Sequence, residues 1–142
     1  MKTAQNQTAL LRQQESELRD AVGYAVEIAR KAGASAEVAV TKVSGLSVST
    51  RLQEVENVEF NNDGALGISV YVGQQKGNAS TSDLSRDAIK NSVEAALAIA
   101  KHTSPDDCAG LAERELMAFE APELELYYPA ETDVDDAIQL AL

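Results

Sequence analysis

The 142-residue chain carries 23 acidic against 12 basic residues, a net charge of −11. A surface of that sign repels phosphate, which argues against nucleic acid and anionic membranes as partners and fits a soluble protein. Hydrophobic residues reach 44% but aromatics only 4%, with no Trp, so a single domain-sized core must be built from Ala, Val, Leu and Ile.

Residues 1–15 read as a disordered or helical lead-in, polar over the first seven positions. Met1 to Gln14 has Lys2 but no apolar stretch of the kind a secretory signal needs. A helix is expected from about Thr8 or Ser16 to Ala32. Leu18, Val22, Ala25, Ala29 and Ala32 recur every three or four residues, and Arg30 and Lys31 suit its last turn. Gly33 supplies the left-handed residue that ends many helices. Residues 36–43 then alternate as a first strand, and Ser44-Gly45 reads as a turn.

From Leu46 to Ser80 the pattern is that of short strands joined by tight turns. Leu46, Val48, Thr50 and Leu52 share one face, as do Leu66, Ile68, Val70 and Val72. Asn62-Asp63-Gly64 is the turn signal between them, with Gly64 expected at positive φ, and Gln75-Lys76-Gly77 marks a further reversal.

Ser85 is the expected N-cap of a second helix, with Asp87 in its first turn and Ile89, Val93, Ala96, Leu97 and Ala100 on its buried face. Pro105 stops it. A short helical turn is expected around 111–117, and Leu124, Leu126 and Tyr128 alternate as one more strand. Asp133 caps a last helix, with Asp136 three residues on.

The architecture expected is α+β: an antiparallel meander of about five strands with two long helices packed on one face. Residues 16–130 form the domain, and 131–142 read as the start of a helix leading to a further, carboxy-terminal domain. No stretch approaches the ~18 continuous apolar residues of a membrane span. One cysteine allows no intrachain disulfide, which fits a reducing compartment, and a cytoplasmic location is expected.

Catalytic constellations are hard to assemble from this inventory. His102 is the sole histidine and Cys108 the sole cysteine, short of the ligand sets that zinc sites use, so neither a catalytic nor a metal residue is assigned. Asp106 and Asp107 beside Cys108 disfavour a thiolate. Gly64, Gly67, Gly73 and Gly77 fall within and between strands, whereas phosphate cradles join a strand to a helix N-terminus. The polar set that stands out is Arg51, Glu54, Glu56 and Glu59. An exposed ion pair is the plain reading of it, a contact to a partner or peptide the sharper one. A free-standing hydrolase built on Glu54 or Glu56 is the weakest reading, since no aromatic platform accompanies them.

Ser49-Thr50-Arg51, the run from Glu54 to Asn61, Asp63 to Ile68, and Lys76 to Ser80 together resemble the amino-terminal domain of the TldD/PmbA family of bacterial zinc metallopeptidases, most closely its PmbA (TldE) branch. The similarity extends through Thr103 to Asp106 and Ala109 to Ala112. The resemblance implies a subunit of a two-component peptidase acting on unfolded or linear peptides, such as peptide-antibiotic precursors and antitoxins. It also implies that zinc sits in a TldD-type partner bearing an HExxxH helix, with no cofactor in this segment, which would be non-catalytic and form chamber wall. Enzymatic activity would belong to the full-length complex. Residues of the matched blocks that would contact a partner or peptide are Arg51, Glu54, Glu56, Asn61 and Asp63. The other reading kept open is a free-standing peptide- or protein-binding module that uses a sheet edge.

Overall fold

A computed structural model of the protein describes residues 2–126 and 133–142, with side chains from residue 12 onward. The chain runs α1 (Lys2–Lys31), β1 (Ser35–Arg51), β2 (Glu54–Val72), β3 (Gln75–Thr81), α2 (Arg86–His102) and α3 (Val134–Ala141), with a 3-10 turn at Arg114–Leu116. The fold is α+β, but the sheet has three strands in the order β1-β2-β3, not about five.

The difference has a physical cause. Both expected turns in the first half of the meander lie inside strands. β1 and β2 pair antiparallel in one unbroken register from Ser35↔Tyr71 to Ser49↔Asn57, which carries Ser44 opposite Asn62 and Gly64 opposite Lys42. A local turn signal is overridden when each neighbouring residue already has a cross-strand partner. Gly64 is therefore mid-strand without positive φ, and the turn expected there is corrected.

The actual reversals are Leu52-Gln53 and Gly73-Gln74. Leu52, expected on one face of a strand with Leu46, Val48 and Thr50, instead occupies the hairpin turn with φ 54. Gln75-Lys76-Gly77 opens β3 and does not reverse the chain. Leu124 and Leu126 lie in no strand and are exposed, while Tyr128 falls outside the described residues.

Helix boundaries follow local chemistry. α1 starts at Lys2, ahead of the expected Thr8 or Ser16, in a stretch that meets no Pro and no Gly before Gly23. It ends in a Schellman motif: Ala34 N–H donates to Ala29 O and Gly33 N–H to Arg30 O, with Gly33 at φ 78. Ser85 caps α2 by accepting from Ala88 N, and Asp133 caps α3 by accepting from Asp136 N.

The core lies between one face of the sheet and the two long helices. Leu66, Ile68 and Val70 of β2 are buried against Ala21, Ala25 and Ala29 of α1 and Ile89, Val93, Ala96 and Ala100 of α2. Val38 and Val40 of β1 pack at its margin, half-buried. Alternation in β2 and three-four spacing in the helices thus meet as expected. Truncating a core side chain such as Ile68 to Ala costs on the order of 2–5 kcal/mol at sites of this kind. The Arg86 guanidinium lies 4.6 Å from the Tyr24 ring centroid and ties the start of α2 to α1.

Beyond the core, β1 and β2 continue together as a two-stranded arm. No residue from Thr41 to Ala65 is buried. α3 lies along it: Val134, Ala137, Ile138 and Ala141 are half-buried, and Thr50 Oγ1 donates to Ala141 O at 2.8 Å.

Candidate contact surface at the tip of the hairpin arm

Arg51 and Glu54 face each other as the last register pair before the turn. One step further in, Thr50 opposes Val55 while Ser49 opposes Asn57, so Glu56 is the extra residue of a β-bulge. The bulge swings the Glu56 carboxylate toward Arg51, whose Nη1 lies 3.8 Å from Glu56 Oε1. Both side chains are more than half exposed, so the pair contributes only about 0–1 kcal/mol. Arg51, Leu52, Glu54, Val55 and Glu56 line a shallow concavity of about 220 Å³.

Three of the five expected contact residues thus come together, and two do not. Asn61 sits opposite Gly45, and its Oδ1 fills the space where a Cβ on residue 45 would lie, 2.6 Å away. Asp63 pairs with Val43. At the usual strand rise, Asp63 is roughly 24 Å along the arm from Glu56. Leu52 and Val55 join the tip instead. Sequence reasoning missed them because Leu52-Gln53 has none of the Gly or Asn chemistry that usually announces a hairpin.

A second concavity, about 350 Å³, lies at the other end of the sheet, lined by Tyr71, Lys76, Thr103, Asp106 and Cys108 among others. The loop after α2 forms it, held by Gln75 Nε2 donating to Thr103 O and Asp106 N–H donating to Gln74 O. It covers Tyr71 on the face opposite the helices, with Lys76 Nζ 5.5 Å from the ring centroid. Cys108 is a free, exposed thiol.

Neither place offers a zinc site. Among the described residues no three His, Cys, Asp or Glu side chains converge as a ligand set. His102 closes α2 as an exposed residue. The donor set among the described residues does not supply the three protein ligands that a catalytic zinc takes. Among the described residues, no helix is long and apolar enough to cross a membrane.

Residues 36–100 match a family model described as "PmbA/TldA metallopeptidase domain 1". Over all 142 residues the chain is 78% identical to a "Metalloprotease PmbA homolog" of Haemophilus influenzae, covering 32% of that protein. Over 124 residues, 87% of this chain, it is 59% identical to "Metalloprotease PmbA" of Escherichia coli O157:H7, covering 28% of that protein. The chain thus spans about a third of the length of these curated relatives. A crystal structure of TldE from Thermococcus kodakarensis shares the fold, with a TM-score of 0.59 at 21% identity over 78% of this chain and 25% of the other. The family-model match and the identity with PmbA relatives that runs the whole length of the chain show that this chain belongs to the TldD/PmbA metallopeptidase family, on its PmbA (TldE) branch, as the amino-terminal part.

Proposed function

We propose that this chain is the amino-terminal domain of a PmbA/TldE-like subunit in a two-component, cytoplasmic zinc metallopeptidase. The complex would act on unfolded or linear peptides, as in peptide-antibiotic maturation and antitoxin degradation. The observation that carries the reading is the 78% identity, end to end, with a protein named as a metalloprotease PmbA homolog. The described residues bring no three ligands together, which fits a structural or substrate-guiding role for this segment. Purifying the full-length protein from its host and identifying what accompanies it tests this. A zinc-bearing family member in equal amount is the expected companion. Full-length protein that binds stoichiometric zinc and cleaves peptide alone would sink the assignment.

A second reading has its own support. β1 is an edge strand of 17 residues with no proline and only Glu37, Lys42 and Arg51 as charges. Natural edges of that length are usually blunted, so it is suited to accept an extended peptide by strand addition. The two readings are compatible, since a guiding wall for linear peptides would use such an edge. Amide shifts on adding an unstructured peptide should cluster along β1, and shifts scattered over the helices would count against it.

A further inference from the structure

One face of β1 carries two apolar patches with a polar gap between them. Ala36, Val38 and Val40 lie against the core beneath α1 and α2. Leu46, Val48 and Thr50 share that face by strand alternation and are again half-buried. Between the patches Lys42 pairs with Gly64 and Ser44 with Asn62, and all but Gly64 are exposed. At the usual strand rise roughly 20 Å separates Val40 from Leu46.

The second patch is covered by α3. The Thr50 side chain donates to Ala141 O at 2.8 Å, which fixes the helix on the face that Leu46 and Val48 share. That carbonyl is among those a helix C-terminus leaves unpaired, so the arm satisfies a group the helix cannot. Val134, Ala137, Ile138 and Ala141 of α3 are half-buried in turn. The cover falls on β1, since Phe60, across from Leu46, stays 69% exposed. Thr50 is also where the register shifts, so the tie reaches the bulge that brings Glu56 beside Arg51.

Neither partner is self-sufficient: a two-stranded ribbon is marginal in water, and so is a helix of eight residues. We propose that α3 is a strap whose seating orders the outer arm. Residues 46–58 and α3 open and close as one cooperative unit, and the bulge at the tip is set only while the strap is seated. The polar gap at Lys42 and Ser44 is the boundary between this unit and the core. Protein stability commonly divides in this way, into contiguous units with their own opening free energies.

Native-state hydrogen exchange on the full-length protein tests the strap by comparing wild type with Ile138→Asp. Amides that bond across the strands between 46 and 58 should exchange about tenfold faster or more, together with those of 137–141. Amides of 66–70 and 89–100 should keep their wild-type rates, which also shows that the variant is folded. Ile138→Leu should leave arm and helix near wild type. Coupling between two sites is reciprocal, so Val48→Asp on the arm should speed exchange in α3 by a similar factor. Arm amides that keep their protection while α3 loses its own would overturn the strap, because something else then holds the arm. Core amides that accelerate with the arm, in Ile138→Asp and in the milder Thr50→Val, would overturn the boundary and the separate unit with it.

Discussion

Gly77 of β3 lies so close to the backbone of α2 that a Cβ placed on it would stand 2.6 Å from the Ala100 amide nitrogen and closer still to the Ala96 carbonyl oxygen. Two backbones meet there, with no flexible side chain to give way. The alanines of α2 make that approach possible from their side, and the glycine makes it possible from the strand. Helix and strand in this corner are held by close contact more than by large side chains, as a core so poor in aromatics requires.

Replacing Gly77 with Ala should therefore push α2 off the sheet and destabilise the protein by about 1–3 kcal/mol or more, the usual range for overpacking. Urea unfolding of the two proteins measures this. A loss under about 0.5 kcal/mol would mean that α2 can shift freely, contrary to the packing described.

The hairpin tip should respond in the opposite direction. Changing Leu52-Gln53 to Asn-Gly installs residues suited to two successive positive φ angles. Stability should rise by ~0.5–1 kcal/mol, since a left-handed leucine is disfavoured and neither side chain is needed by the core. A thermal melt that falls would show that the tip side chains hold the arm together.

α3 should be less protected than α2. It has no buried residue, and its hydrogen-bonded tie to the arm runs from Thr50 Oγ1 to Ala141 O. Hydrogen exchange should be much faster at 137–141 than at 89–100 of α2, where Ile89, Val93, Ala96 and Ala100 are buried. Equal protection would mean that α3 is held by more than its half-buried face. Thr50→Val should loosen α3 further without touching α2.

One surface carboxylate should leave a small acid-side signature. A hydrogen bond from the Lys31 ammonium, and then its charge, hold Glu27 below the ordinary carboxylate value. A depressed folded value means that the stabilisation is present above the unfolded pKa and is lost as pH falls through the folded one. Wild type and Glu27→Gln should differ most near neutrality and converge in acid, with added salt shrinking the gap because both side chains are exposed. A gap that widens as pH falls would contradict the sign.

What can be read from sequence and what cannot divide along a physical line. Ser85, Asp133 and Gly33 act through groups within a few residues of themselves, so their caps are legible. The alternation of Leu66, Ile68 and Val70 is legible because one face must be buried. Asn62-Asp63-Gly64 misleads because its fate depends on Lys42, Val43 and Ser44, far upstream in the chain and paired across the strand. Arg51 and Glu56 are recognisable as neighbours across a turn, although nothing local marks Leu52-Gln53 as that turn. Asn61 and Asp63 are grouped with them only through the matched blocks of the resemblance, and a single long β2 carries them away from the tip.

The central claim is that this chain serves a peptidase whose chemistry lies in another subunit, and the direct measurement is reconstitution. Full-length protein and a TldD-type subunit are purified apart, their zinc content is determined, and cleavage of an unfolded peptide is followed for each alone and for the mixture, with and without a chelator. The expected result is zinc in the partner only and chelator-sensitive cleavage that needs both proteins. Stoichiometric zinc in the PmbA-like protein, or cleavage by it alone, would contradict the claim.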